Sequence, residues 1–220
     1  MVDYTEPLPA AKIRRLRVAQ GLVLLFHITG FVGLAFSKNP EFYLRFTPLT
    51  LLLTAALLFA FEREQGVNFW GFCFSVSLLG FAAEVIGVLT GRFFGHYSYG
   101  QTLGYQVSGV PLAIGLNWLV LTYVCGHLAR YLPLSELPRT ILAALLMVGF
   151  DLCIEPVASQ YHFWHWTADV IPLQNFRDWF IFSCVLQMLF SRAHFTRVNP
   201  LVPLVYLTQL LFFFLLGTLS

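Results

Sequence analysis

Seven runs of apolar residues, each near the length that crosses a bilayer, recur along the chain and leave it few folding options. They cover about 16–36, 46–61, 69–90, 110–132, 137–157, 175–190 and 200–217. A hydrocarbon core ~30 Å thick takes ~20 helical residues to span. Inside it there is no water to satisfy a backbone outside a helix or a closed barrel. Composition agrees, since 58% of the 220 residues are hydrophobic and only 11% charged, against ~25% charged in an ordinary soluble domain. The predicted fold is all-α, a polytopic membrane helix bundle of about seven transmembrane helices, six to eight at the limits. Residues 1–220 form a single integral membrane domain, opening with a polar tail at 1–11 that contains Pro7 and Pro9.

Charge placement gives an orientation. With the N-terminus in the cytoplasm, the inner side receives Lys12, Arg14, Arg15, Arg17, Arg63, Arg130, Arg139, Arg192 and Arg197. The outer side receives Lys38, Arg45, Arg92 and Arg177, which fits the positive-inside rule. The basic cluster precedes an apolar run too long for a signal-peptide core, so the first helix is expected to stay as an anchor. A net charge of +2 gives no footprint for nucleic acid. Cys73, Cys125, Cys153 and Cys184 lie in or beside apolar runs without CxxC spacing and read as small buried hydrophobes. The only lysines, Lys12 and Lys38, are not mid-membrane, which excludes a retinal Schiff base. No nucleotide loop, Rossmann glycine pattern or haem attachment motif occurs.

Against this background the carboxylates stand out. Asp151 and Glu155 close the fifth run four residues apart, on one helix face. Glu84 lies near the end of the third run. An intramembrane carboxylate costs at least ~2.5–3.5 kcal/mol by insertion scales. The predicted topology brings all three to one membrane depth, together with the loops 91–109 and 158–174. They form either a structural hydrogen-bond network or an acid–base site.

The loop after Glu84 carries Arg92, His96, Tyr97 and Tyr99 among glycines. As single residues these read as an interfacial aromatic belt with a snorkelling arginine. As a group beside Glu84 they read as a site, with Arg92 about two turns away as a candidate cation. His162 and His165 have HxxH spacing near two carboxylates, a spacing that suits iron or zinc. However, they fall in a predicted loop among tryptophans, without the repeated histidine clusters of membrane di-iron enzymes, and no metal is assigned. His27 and His127 read as helix-packing histidines, Asn117 as an interhelical hydrogen-bonding group, and the phenylalanines within 211–216 as lipid-facing bulk.

At these residues the chain resembles a known family. EVIGVLTGRFFGHYSYGQTLG, GVPLAIGLNW, DLCIEPVA, WHW and IPLQNFRDW follow in the order and spacing of the carotenoid 1,2-hydratases of the CruF type, which take in bisanhydrobacterioruberin hydratase. The similarity covers roughly 81–180. Two departures are a short 167–170 segment after WHW and Asp178 before Trp179, where relatives carry a Gly-Trp pair. The resemblance implies a hydro-lyase that adds water across the terminal C1–C2 double bond of an acyclic carotenoid, an isoprenoid, giving a tertiary 1-hydroxy end. It implies no cofactor. Its partners would be the carotenoid, water, membrane lipid and other enzymes of the pathway, in a prokaryotic inner membrane. Asp151, Glu155 and Glu84 would be the catalytic acid and base groups. Arg92, His96, Tyr97, Tyr99, Trp164, Trp166, Asn175 and Trp179 would bind substrate or support the acids. Two other readings remain open. An end-group cyclase or isomerase would use the same protonation and then lose a proton. A carotenoid-binding protein or proton-coupled transporter would perform no turnover, though a transporter of this size usually shows internal repeats and none is evident.

Overall fold

The computed structural model describes residues 10–195 and 198–219, so the proline-containing start of the tail and Arg197 lie outside the described residues. The elements in chain order are α1 (Ala10–Phe36), α2 (Pro40–Leu44), α3 (Thr47–Ala60), α4 (Val67–Thr90), β1 (Tyr97–Tyr99), β2 (Gln106–Val107), β3 (Val110–Pro111), α5 (Leu112–Ala129), α6 (Glu136–Ala158), β4 (Trp164–Trp166), α7 (Leu173–Arg192) and α8 (Val202–Leu219). Each predicted apolar run is one long helix. The extra helix, α2, is a local structure: Asn39 caps it by accepting the Phe42 N–H at 3.4 Å, and Pro40 follows at the first helical position.

Among the described residues, six segments are long and apolar enough to cross a membrane: α1, α2 with α3, α4, α5, α6 and α8. Large apolar side chains such as Leu25, Ile28, Phe74, Leu152 and Phe214 point outward from them, as a lipid-facing surface requires. The remaining long helix, α7, has its polarity reversed. Asn175, Asp178, Ser183 and Gln187 recur at helical spacing on its buried face, while Ile181, Val185 and Met188 face out. Asn175 donates to the α6 carboxyl groups and Gln187 to the Thr122 carbonyl of α5, so polar side chains lower its mean hydropathy without making it a surface helix.

The bundle is built around α5, which is buried without interruption from Trp118 to His127. It packs against α3, α4, α6, α7 and α8, while α6 and α7 form the most extensive helix pair. Phe212 and Phe213 of α8 depart from the expected lipid-facing role. Phe213 packs edge-on against Phe150 of α6 at 5.6 Å, and Phe212 against His27 of α1 at 6.0 Å. Only the exposed residues of that run, such as Phe214, face outward. The two lone histidines behave as expected, each bonding through Nδ1 to the carbonyl four residues back, Val23 and Tyr123, at 2.8 Å.

Buried polar side chains collect at the two opposite ends of the bundle. At the end where α3 stops, Glu62 accepts the N–H groups of Arg63 (2.9 Å) and Glu64 (3.1 Å) and the hydroxyl of Tyr123 (2.8 Å). Asn199 donates to that hydroxyl and to the Leu58 carbonyl. This cluster ties the α3–α4 turn to α5 and to the start of α8. The other end holds the three carboxylates, some 25 Å away along α4 at 1.5 Å per residue.

Candidate active site

Three helix ends and one ribbon meet at the carboxylate end. Helix α4 supplies Glu84, then stops at Gly91, whose φ of 64° turns the chain back. Helix α6 supplies Asp151 and Glu155 and includes Pro156 in its last turns. Helix α7 begins after Pro172 and supplies Asn175 and Trp179 from its first two turns. The strands β1 and β4, 65 residues apart in the chain, pair antiparallel with Tyr97 opposite Trp166, Ser98 opposite His165 and Tyr99 opposite Trp164. Because side chains alternate along a strand, Tyr97, Tyr99, Trp164 and Trp166 share the face turned toward the carboxylates. The neck of this ribbon depends on Gly100, where a Cβ would collide with the His162 carbonyl. The Gly100 N–H instead reaches the Phe163 carbonyl at 3.0 Å.

The hydrogen bonds are specific. Glu84 accepts Tyr97 Oη at 2.5 Å and Tyr99 Oη at 2.7 Å on Oε2, and Trp118 Nε1 at 2.9 Å on Oε1. Glu155 accepts Trp166 Nε1 at 2.8 Å and Trp164 Nε1 at 3.2 Å on Oε2. The Asn175 amide bridges the α6 pair, donating to Asp151 Oδ2 at 2.8 Å and to Glu155 Oε1 at 3.1 Å. Asp151 Oδ1 is buried without a hydrogen-bond partner. All three acids are at least 95% buried, with exposures of 4% for Glu84, 0% for Asp151 and 5% for Glu155. Burial, and next the neighbouring Glu84 charge, push the Tyr97 and Tyr99 hydroxyls well above the ordinary phenol range, so both remain donors.

These groups line a chamber of about 440 Å³, part of it open to the surroundings, whose walls include Glu84, Asp151, Glu155, Asn175, Trp164 and Trp179. An apolar-walled space with three carboxyl groups and a rim of aromatic faces can protonate an alkene, shelter a cation and hold a nucleophilic water.

Of the predicted residues, Glu84, Asp151, Glu155, Tyr97, Tyr99, Trp164, Trp166, Asn175 and Trp179 come together here. Arg92 and His96 do not. Both are exposed. Arg92 instead lends its carbonyl to Gln174 Nε2 at 2.8 Å, and the His96 ring folds over Gly91. The left-handed turn at Gly91 carries the loop away before either side chain can face Glu84, whose partners are hydroxyl and indole donors rather than a cation. His162 and His165 sit off the chamber, their ring centroids 5.6 Å apart. His165 alternates outward between the two inward tryptophans. Among the described residues no group of three His, Cys, Asp or Glu side chains is arranged to hold a metal ion.

Sequence reasoning passed over three contributors. Trp118 both donates to Glu84 and stacks on Trp179 at 4.1 Å. Its neighbour Asn117, expected to be an interhelical bonding group, lines the chamber. Asp178, noted only as a departure from a family pattern, accepts the Phe94 N–H at 3.0 Å and Gln174 Nε2 at 3.2 Å, pinning the loop after α4 onto α7. The available signal was the polar pair Asn117–Trp118 inside an otherwise apolar helix.

Residues 46–220 match the model of a family described as carotenoid biosynthesis protein. Over 184 residues the chain is 27% identical to the bisanhydrobacterioruberin hydratase of Haloarcula japonica, covering 77% of this chain and 60% of that relative. The chain thus aligns with less than two thirds of the relative's length. No solved structure matches it.

Proposed function

The chain belongs to the carotenoid biosynthesis protein family, and on that premise we propose that it adds water across the terminal C1–C2 double bond of an acyclic carotenoid end group. The supporting observation is how the carboxyl oxygens are bonded. Of the six on Glu84, Asp151 and Glu155, every one accepts a hydrogen bond except Asp151 Oδ1. An ionised oxygen buried without a donor is costly, whereas a carboxylic O–H needs no donor. In this reading the proton sits on Asp151 Oδ1, where the neutral acid avoids a buried unpaired charge and displaces no existing bond.

The chemistry follows from that assignment. The Asp151 proton goes to C2, the alkene electron pair forms the new C–H bond, and C1 is left as a tertiary cation. The ring faces of Tyr97, Tyr99, Trp164 and Trp166 lie around the chamber, each contributing ~0.5–2 kcal/mol to a cation held against it. Glu84 accepts three hydrogen bonds, each of which favours its ionised form, and in that form it sets a negative charge beside the cation. Water bonds to C1 and gives a proton to Glu155, leaving a tertiary alcohol. Asn175 holds Glu155 and Asp151 together, so the proton returns to Asp151 through a chamber water and the acids are reset. Water is the sole co-reactant, and the steps balance without a redox cofactor.

The distribution of basic residues supports an N-terminus in the cytoplasm of a prokaryotic inner membrane. The chamber then lies toward the outer face, where water is available, and the carotenoid arrives from lipid. The Haloarcula japonica relative is named as a hydratase of bisanhydrobacterioruberin; for this chain, hydration is carried over as part of the proposal.

Expression in a bacterium that accumulates lycopene tests it, with pigments analysed by mass and the Asp151→Asn variant alongside. The expected product is heavier by one water, takes its oxygen from labelled water, and falls by ~10²–10⁴-fold in the variant, the usual contribution of a general acid. A rearranged pigment of unchanged mass and no label would identify a cyclase or isomerase and refute hydration.

A further inference from the structure

A second cavity of about 890 Å³, part of it open to the surroundings, adjoins the carboxylate chamber. The two share Ile114, Asn117, Phe150, Ile154 and Trp164 as common walls. From that boundary it runs between the core and α1, past Phe212 and Phe213, to α2 and the first turns of α3. Helix α1 packs chiefly against α2, α3 and α8, so this cavity stands between α1 and the α5–α6 core.

We propose that the cavity is a binding channel for the hydrocarbon chain of an acyclic isoprenoid, and that α1 and α2 form the wall that selects which chains fit. The proposal rests on the hydration reading and extends it to a second site. The carboxylate chamber is lined by acids and indoles and has about half the volume. It takes an end group, and the rest of a long molecule must leave it. The aromatic-walled cavity lies directly against it across those shared residues. Of the selecting wall, Phe26, His27, Gly30, Leu34 and Tyr43 precede residue 46, where the family match begins.

Gly30 is the point at which to test the channel. A Cβ there meets the Phe212 ring at 3.5 Å, an ordinary contact, so the backbone accepts a side chain and a large one extends into the cavity. Gly30→Phe narrows the channel without touching an acid. Leu51→Trp does the same from α3 and guards against a folding defect in the first variant. The purified proteins would be assayed in lipid nanodiscs with lycopene and with geraniol, a short isoprenoid that carries the same terminal alkene. Lycopene retained through purification would be read from its absorbance.

The expected result is a KM for lycopene raised about tenfold or more, retained lycopene lost, and selectivity for lycopene over geraniol reduced in proportion. An unchanged lycopene KM in both variants overturns the channel and leaves hydration standing. An equal loss on both substrates also overturns it, because the damage then lies in the chamber. Wild type that retains lycopene, loses it on Gly30→Phe, and hydrates neither substrate would keep the channel and refute hydration. Wild type that neither retains nor hydrates lycopene refutes both.

Discussion

Replacing Asn175 by leucine is the sharpest probe of the carboxyl pair. Leucine keeps the same branched shape, with somewhat greater bulk, and removes the amide. The amide donates at 2.8 Å to Asp151 and at 3.1 Å to Glu155, with only 1% of Asn175 exposed. If Asp151 holds the proton, one lost bond is to a neutral acid, worth ~0.5–1.5 kcal/mol, and the other to an ionised one, worth ~1.5–3 kcal/mol. Their sum is roughly 3 kcal/mol, or about a hundredfold in rate if it is felt in the transition state. The assay is lycopene turnover per folded molecule, with thermal unfolding in detergent followed in parallel. Turnover is expected to fall about a hundredfold, and Asn175→Asp is expected to be worse, because it adds a third carboxyl to the pair. Asn175→Leu protein that turns over within about threefold of wild type would refute the role of this bridge in seating Asp151 as the acid and Glu155 as the base. A fall in melting temperature with turnover preserved would show that Asn175 is structural.

Two further outcomes test the surroundings of the site. Tyr97 and Tyr99 have hydroxyls raised above their unfolded value of about 10, so their contribution to stability is intact below that pH and is lost as pH rises further; an ultraviolet titration of folded protein should show the same phenolate signal near pH 11 for wild type and Tyr97→Phe, and a smaller signal in the variant would contradict it. At the opposite end, Glu62→Ala strips the acceptor from two backbone N–H groups and the Tyr123 hydroxyl, an expected loss of roughly 2–3 kcal/mol with turnover per folded molecule unchanged. Burial raises the Glu62 carboxyl above its ordinary range, so the wild-type margin over Glu62→Ala is fullest in acid and shrinks as pH rises through that raised value; a margin that grew instead, measured by thermal unfolding, would contradict the assignment.

Helices were legible in the sequence because each announces itself locally. The seven apolar runs and the i, i+4 pair Asp151–Glu155 needed only periodicity. The ribbon was not legible, since β1 and β4 are three residues each and 65 positions apart. YSY and WHW carry the alternation that makes them pair, but nothing in either names its partner. The same gap hid Trp118, which joins Glu84 only because α4 and α5 pack side by side. Arg92 was mislocated for a related reason: spacing along a helix was extended past Gly91, where the backbone leaves the helix.

The reversed polarity of α7 bears on how the chain is made. A segment with Asn175, Asp178, Ser183 and Gln187 on one face is poorly suited to enter a bilayer alone, since each unpaired polar group meets hydrocarbon. Helix α6 has already emerged from the ribosome by then, with Asp151 and Glu155 on the face that α7 covers. Asn175 thus has its partners waiting on α6, and Gln187 has one on α5 at the Thr122 carbonyl. Variants that lack both α6 carboxyl groups are therefore expected to leave Asn175 unpaired as α7 inserts, and to accumulate less protein in the membrane.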